Sequence, residues 1–224
     1  MKVCAMRCEI LSVLTGKAAP FGPETSAIAK AARTGPVVVG MLGLEGDEQA
    51  DLAVHGGPDK AIHHYPGDHY PFWRVTMGGQ PLLDGPGAFG ENVSTHGMTE
   101  EAVCLGDRFR LGSALVEVSQ GRQPCWKQGH RFADPAIVAR MVVTRKAGWY
   151  YRVIEPGMVA AGDTLELLER PLPDWSVKRM FGLLIGGDGK DDPAALRALA
   201  GMEVLAQPWR RKAQALLGLQ PRSP

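Results

Sequence analysis

Glycine and proline together make up one residue in five of this chain, at 28 and 17 of 224 residues. A helical bundle does not tolerate that share, whereas a fold of short strands and tight turns does. Apolar residues contribute 45% and charged residues 22%, which is close to the globular average and argues against disorder. The sequence therefore predicts a strand-rich globular protein that is long enough to bury a core.

Charge and hydropathy exclude two classes of partner. Lys plus Arg is 25 and Asp plus Glu is 24, so the net charge of +1 leaves no broad basic field for nucleic acid. No apolar run approaches the ~18 residues of a membrane span. Arg7 and Glu9 stand where a signal peptide needs an apolar segment. We expect a cytoplasmic protein with no nucleic-acid partner and no membrane partner.

Short strands dominate the first three quarters of the sequence. The clearest hairpin has strands at 108–111 and 114–120 joined by Gly112-Ser113, which suits a two-residue turn with positive φ at the glycine. Further strands are predicted at 11–15, 37–39, 61–65 and 164–168.

Helical patterns lie mainly toward the end of the chain. Asp134-Pro135 and Asp192-Pro193 each combine an Asx cap with proline at the first helical position, and Ser176 is a third candidate cap. A fourth helix is predicted over 209–217.

The character of the chain changes near residue 170. We therefore expect an α+β protein with a strand-rich domain over 1–170 and a three-helix extension over 171–224. About 50 helical residues bury little alone, so the extension should pack on the first domain or on another subunit, which leaves a homodimer open.

The four cysteines are Cys4, Cys8, Cys104 and Cys125, and none forms a CxxC pair. Their spacing fits neither a zinc ribbon nor a ferredoxin cluster, so free thiols are expected. Cys104 lies between apolar residues and is interpreted as structural. Cys4 and Cys8 lie in a terminal segment and are assigned no catalytic role.

The segment around Cys125 is the most suggestive of chemistry. A strand ends, a polar loop follows, and Pro124 stiffens the approach to the cysteine. Arg122 and Lys127 flank it in sequence and would favour a thiolate if they are close in space. Such a thiolate is suited to nucleophilic attack, to carrying sulfur or to binding a soft metal. A buried inert cysteine is the alternative.

Two glycine-containing segments and a run of histidines are weaker candidates. His55-Gly56-Gly57 offers exposed backbone amides that can hold an anion, and Gly90-Glu91-Asn92 offers acceptors and a donor at one point; each also reads as an ordinary turn. His63 and His64 would face opposite sides of a strand. We therefore expect one histidine of this run to face a cleft, and the others to be half-buried or exposed rather than bound to zinc.

These segments, taken in order, resemble the MOSC domain family, the domain found at the C-terminus of molybdenum-cofactor sulfurases, and within it the YiiM-like subgroup. The likeness covers about residues 10 to 170 and is carried by Gly43-Leu-Glu-Gly-Asp47, His55-Gly-Gly-Pro-Asp59, Gly90-Glu-Asn92, Gly106-Asp107, Gln123-Pro-Cys125, Gly148-Trp149, Val153-Ile-Glu-Pro-Gly157 and Gly162-Asp163. Trp126 is a departure, since relatives often carry tyrosine or another residue there.

The resemblance implies a barrel-like β domain with a cleft for the molybdenum cofactor, in which the Cys125 thiolate binds molybdenum. The cofactor's phosphate and pterin would then be held by cations, amides and polar acceptors. The candidates for that role are His55, Gly56, Gly57, Glu91, Asn92, Arg122, Gln123 and Lys127.

The resemblance also implies an oxidoreductase that reduces N-hydroxylated compounds such as hydroxylaminopurines and amidoximes, a detoxification activity. The sequence has neither cluster-spaced cysteines nor a GxGxxG fingerprint, so electrons would come from an external flavin reductase or ferredoxin-like protein. Two alternatives remain open. One is a sulfur-carrier or cofactor-handling protein with a persulfide on Cys125; the other is a cysteine hydrolase that pairs Cys125 with His55 or His64.

Overall fold

A closed barrel of seven strands forms the centre of the molecule in a computed structural model that describes residues 6–49 and 56–218. Its strands are β1 Arg7–Thr15, β7 Ile62–His64, β8 Val93–Thr95, β9 Arg108–Leu111, β10 Ala114–Gly121, β11 Trp149–Glu155 and β13 Thr164–Glu169. They are hydrogen-bonded in the order β13-β9-β10-β11-β7-β8-β1, and β1 closes the ring by pairing with β13. The parallel β7–β8 pair interrupts an otherwise antiparallel barrel. The predicted barrel-like α+β fold is confirmed.

Six short strands lie outside the barrel. Among the described residues, β2 (Ala19–Phe21) and β3 (Glu24–Ser26) pair only with each other, and β4 (Ala31–Ala32) pairs antiparallel with the end of β1. β5 (Val37–Gly40), β6 (Gly43–Leu44) and β12 (Gly157–Val159) form a separate three-stranded sheet.

The predicted hairpin at Gly112-Ser113 is confirmed, because Gly112 has a φ of 58° and joins β9 directly to β10. Inward-facing side chains of the barrel strands build one hydrophobic cluster, with Ile10, Phe109, Val116 and Trp149 each 0% exposed. This packed interior makes the barrel a rigid frame for the loops at its ends.

Six α-helices lie among the described residues: α1 Tyr70–Thr76, α2 Trp126–Phe132, α3 Ile137–Thr144, α4 Val177–Leu184, α5 Pro193–Gly201 and α6 Gln207–Leu216. The four predicted helices are α3 to α6, and the Ser176 and Asp192 side chains cap α4 and α5 as expected. The sequence analysis missed α1 and α2. Neither has a side-chain cap, and Gly129 lies inside α2, so the only usual start signal is Pro71 in the first turn of α1. None of the described helices has the length and apolar character that a bilayer crossing requires.

The three C-terminal helices pack on the barrel. The amide of Ala206 donates to the Ser119 carbonyl at 3.0 Å, and Arg152 donates to the Val204 carbonyl at 2.9 Å. As a result, β10 is buried along nearly its whole length. In a barrel without these helices, the outward face of β10 would be exposed to solvent. The helices share their hydrophobic cluster with α1, α2 and α3.

Arg170 fixes the point where the barrel ends and the helical segment begins. Its guanidinium donates to the Asp107 carboxylate at 2.6 and 2.9 Å and to the Ala102 carbonyl at 2.8 Å. Asp107 is fully buried, and burial raises its pKa while the Arg170 contact opposes that shift. The junction is therefore a rigid, ion-paired corner.

Candidate functional site

A cleft of about 110 Å³ opens at one end of the barrel, beside the start of α2. Its walls come from the segment after β3, the loop after β6, the turn before β7, the loop before β8, the segment after β10, and β11. Most of the lining side chains are polar or charged. The complete lining consists of Ser26, Ala27, Ile28, Lys30, Asp47, Glu48, Gln49, Lys60, His63, Phe89, Gly90, Asn92, Arg122, Gln123, Cys125, Lys127 and Tyr150.

Cys125 lines this cleft as a free, half-exposed thiol. It follows the buried Pro124 and occupies the N-cap position of α2 with an extended backbone, at φ −132° and ψ 170°. The sequence analysis placed Cys125 in a loop; the loop ends there and the helix begins one residue later. Burial raises the pKa of the Cys8 thiol, and it raises the pKa of the Cys104 thiol to about 11.

Arg122 and Lys127, the two cations that flank Cys125, both line the cleft and are almost fully buried. The Arg122 amide is anchored to the Gly148 carbonyl at 3.0 Å. Lys127 Nζ lies 3.2 Å from Oε2 of Glu24, a half-exposed residue of the β2–β3 hairpin. Two buried cations therefore flank the thiol along the chain. One of them, Lys127, forms an ion pair with a carboxylate of the β2–β3 hairpin.

A second charged group lies across the cleft. Lys30 forms an ion pair with Asp47, and both side chains are less than a tenth exposed. Burial lowers the pKa of Lys30, and the Asp47 carboxylate opposes this shift. Asp47 also accepts the Gly16 amide at 2.7 Å and the Asn92 side-chain amide at 2.8 Å. Asp47 thus joins β1, the segment after β3 and the loop before β8.

Asn92 holds β7 in place as well as lining the cleft. Its Oδ1 accepts the His63 amide at 3.0 Å, and its Nδ2 also donates to the Leu14 carbonyl at 3.1 Å. With Asp47 as a further acceptor, the side chain is fully engaged within the protein. Its contribution to the cleft is therefore mainly to fix the strands that carry other lining residues.

His63 is the buried histidine that faces the cleft. It is 4% exposed, and its Nε2 has no hydrogen-bond partner. Burial and the nearby Arg122 charge lower its pKa well below the usual value, so the imidazole is neutral. The Tyr150 ring lies 5.0 Å away, and burial raises the pKa of its hydroxyl. His63 is therefore a neutral imidazole near the Arg122 and Lys30 charges, and its unsatisfied nitrogen is a polar atom that a bound ligand can satisfy.

Glu91 is a predicted contact residue that does not line the cleft. It is fully buried and accepts the amides of Gly87 at 2.7 Å and Phe89 at 3.1 Å as well as the Tyr70 hydroxyl. Burial raises its pKa, and these hydrogen bonds oppose the shift. Its observed role is to hold the loop that ends at Gly90, where φ is 75° and a β-carbon would approach Ile28.

The remaining histidines correct one expectation. His64 and His69 were predicted to be half-buried or exposed, yet they are 0% and 3% exposed. His64 is hydrogen-bonded by Tyr151 and Thr95, and His69 by Glu100 at 2.6 Å, so buried polar partners make their burial tolerable. Within 6–49 and 56–218, no three His, Cys, Asp or Glu side chains are arranged to hold a metal ion.

The structure therefore brings together five predicted residues, Asn92, Arg122, Gln123, Cys125 and Lys127. Gly56 and Gly57 lie beside the cleft: the Gly57 amide donates to Gln49, a lining residue, at 3.3 Å. His55 falls outside the described residues. Sequence reasoning missed Lys30, Asp47, Lys60, His63 and Tyr150 as lining residues. Asp47 lay in a motif already singled out, whereas nothing local distinguished Lys30.

Residues 51–166 match the model of the MOSC domain family, and the chain belongs to that family. Within it, YiiM of Escherichia coli strain K12 is 49% identical over 162 residues, which are 71% of this chain and 72% of that protein. A protein of Gibberella moniliformis named "Reductase" is 46% identical over 72% of this chain, which spans only 29% of that longer protein. The crystal structure of YiiM from Geobacillus stearothermophilus superposes with a TM-score of 0.80 at 33% identity, covering 94% of this chain and 99% of the other.

Proposed function

We propose that this protein is a reductase of N-hydroxylated compounds, of the hydroxylaminopurine or amidoxime type, that works with a bound molybdenum cofactor. The single observation that carries the proposal is the cleft in which a half-exposed free thiol, Cys125, lies among four cationic side chains and the unpartnered nitrogen of His63. The name "Reductase" of the fungal relative supports the redox part of the assignment.

The residues of the cleft fit a cofactor that carries a phosphate and a soft metal. Its lining has four cations, Lys30, Lys60, Arg122 and Lys127, against two acids. Arg122, Lys127 and Lys60 are the groups we assign to the phosphate, and Lys30 stays in its buried ion pair with Asp47. Cys125 would bind molybdenum through its thiolate, since soft sulfur suits that metal. His63 and Gln123 would meet the polar edge of the pterin.

The proposed reaction is R–NHOH + 2e⁻ + 2H⁺ → R–NH₂ + H₂O. The N–O bond breaks, the nitrogen gains the electron pair, and the oxygen leaves as water. When bound, the cofactor supplies a metal centre that accepts oxygen and exchanges two electrons. The protein binds and orients the substrate, and its buried cations and neutral His63 keep the region around Cys125 polar but narrow. Electrons come from a separate flavin reductase or ferredoxin-like protein.

The test compares Cys125→Ala with the control Cys8→Ser, which removes a half-buried thiol on the barrel wall. Molybdenum and pterin content are measured on each purified protein, and reduction of 6-hydroxylaminopurine and benzamidoxime is followed with reduced viologen as electron donor. Cys125→Ala should lose both the metal and the activity, and Cys8→Ser should keep both.

Two results would contradict the proposal. The first is a folded Cys125→Ala variant that retains full metal content and full activity. The second is wild-type protein that carries no molybdenum but acquires a persulfide on Cys125 when treated with a sulfur donor, which mass spectrometry would detect. That outcome would favour the sulfur-carrier alternative.

A further inference from the structure

Three aromatic rings cluster at the rim of the cleft, next to Cys125. Trp126 is the first residue of α2, and His130 lies one turn further along the same helix. Phe21, from the β2–β3 hairpin, lies opposite them. The ring centroids of Phe21 and Trp126 are 6.2 Å apart, those of Phe21 and His130 are 4.7 Å apart, and those of Trp126 and His130 are 6.1 Å apart.

Trp126 lies between two residues that line the cleft, Cys125 and Lys127, although its own ring is not part of the lining. The Lys127 ammonium, one of the lining groups, lies 5.9 Å from the centroid of the Trp126 ring. A ligand that extends from Cys125 past the Lys127 ammonium would therefore approach this ring.

Trp126 is unusually open for its size, since 42% of it is exposed, whereas the other tryptophans of the barrel and of α1, Trp149 and Trp73, are 0% exposed. A large apolar ring left in water forgoes the burial that stabilises its counterparts, and such rings are typical of binding surfaces. The ring is also held in position. Phe21 and His130 contact it at tilted and edge-on angles of 43° and 66°, and the Glu24–Lys127 ion pair ties the hairpin that carries Phe21 to the same helix.

We infer that Trp126, supported by Phe21 and His130, is a stacking surface that selects planar aromatic substrates over aliphatic ones. This inference rests on the proposed reduction of N-hydroxylated compounds and assigns the residue that sets its substrate preference. A purine or benzamidine ring offers a π-face to the indole, and an offset or edge-on contact with it adds to the area that is buried. A saturated ring of similar size has no such face, so it enters the same cleft and binds more weakly.

The experiment measures the binding of two matched compounds to the purified holoprotein without an electron donor, so that no turnover occurs. The planar probe is 6-hydroxylaminopurine, and the saturated probe is N-cyclohexylhydroxylamine. Calorimetric dissociation constants are compared for wild type, Trp126→Ala and Trp126→Phe. Phe72→Ala is the control, because Phe72 is also an exposed aromatic but lies on α1, where its ring contacts Lys146, a residue outside the lining of the cleft.

Trp126→Ala should raise the Kd of the planar probe by about tenfold, the scale of one ring-stacking contact. The Kd of the saturated probe should change by less than about twofold. Trp126→Phe should restore most of the planar affinity, which a loss of folding could not do. In turnover with reduced viologen, the same variants should change KM for the planar substrate and leave kcat nearly constant.

The inference is overturned if Trp126→Ala weakens both probes equally or neither of them. It is also overturned if the variant loses bound pterin while its affinity for the planar probe is unchanged, because the ring would then serve the cofactor. Binding is read without reduction, so its outcome is separate from that of the proposed function. A protein without molybdenum that still binds the planar probe through Trp126 would refute the reductase and keep the stacking surface.

Discussion

Lys127 Nζ lies 3.2 Å from Glu24 Oε2, and this contact joins the β2–β3 hairpin to the first turn of α2. Within the described part of the chain the hairpin strands pair with no barrel strand. A two-stranded ribbon is marginal by itself, so its position depends on contacts such as this one and on the Phe21 ring. The wall of the cleft that carries Ser26 is therefore held in part by one ion pair.

Replacing Glu24 by Gln should loosen the hairpin. Lys127 is 5% exposed and Glu24 is 52% exposed, so we expect a contribution of about 1 kcal/mol, or about fivefold in the local opening equilibrium. Hydrogen–deuterium exchange should become faster across residues 19–26 and stay unchanged in the barrel strands. The control is Glu155→Gln, which removes the exposed Arg110 pair at 3.4 Å. Equal exchange in the hairpin of both variants would refute the role of this contact.

Asp47→Asn should destabilise the whole protein. The change leaves the buried Lys30 ammonium without its partner carboxylate, and breaking a buried ion pair from one side costs about 3–5 kcal/mol. The neutral amide keeps one acceptor oxygen, so the variant also loses one of the two hydrogen bonds that Asp47 accepts from Gly16 and Asn92. Denaturant titration gives the free energy of unfolding. Lys17→Ala is the control, since its side chain is 72% exposed in the pair with Glu48 and its loss should cost less than about 1 kcal/mol. Comparable losses in the two variants would rule out the expected difference.

The parts of the fold that the sequence predicts are those with local signals. Gly112-Ser113, Ser176 and Asp192 mark a turn and two helix starts by their own chemistry, and each is found where expected. The seven-strand closure has no local signal, because β1 and β13 are 150 residues apart and meet only through the barrel. The resemblance to the MOSC family predicts a barrel-like domain, but neither the number of strands nor the pair that closes the ring.

The candidate site divides in the same way. Cys125, Arg122 and Lys127 are neighbours in sequence, and a cysteine between cations is visible as a pattern. Lys30 and His63 reach the cleft through tertiary contacts: Asp47 pairs with Lys30, and Asn92 fixes the backbone of His63. Glu91 shows the converse, because a carboxylate in a motif can serve the backbone of its own loop.

His64 should make the stability of the protein depend on pH. Burial lowers its pKa from 6.5 to about 3. Between these values the unfolded state binds a proton at this residue that the folded state does not. The free energy of unfolding should therefore fall by up to about 1.4 kcal/mol for each pH unit below 6.5, and this loss should end near pH 3.

The measurement compares the slope of unfolding free energy against pH, between pH 7 and pH 5, in wild type and His64→Gln. The variant should be less stable at pH 7, because the hydrogen bonds to Tyr151 and Thr95 are disturbed, but its slope should be shallower by about one proton. His96→Gln is the control, because it makes the same replacement at a side chain that is 62% exposed. Parallel slopes in wild type and His64→Gln would contradict the assignment.

Alkylation should separate Cys125 from Cys104 in the folded protein prepared without bound cofactor, because a sulfur that binds a metal is protected from the reagent. Cys125 is half-exposed in the cleft, whereas Cys104 is 3% exposed and its Sγ lies 3.4 Å from the Pro173 carbonyl. Burial, reinforced by Asp107, raises the pKa of Cys104 to about 11, so only about one molecule in a thousand carries the thiolate at pH 8. Iodoacetamide at pH 8 should modify Cys125 and spare Cys104, as read by peptide mass spectrometry. In urea both should react, because unfolding removes the burial. If Cys104 reacted as fast as Cys125 in the folded protein, the contrast between a cleft thiol and a structural thiol would be wrong.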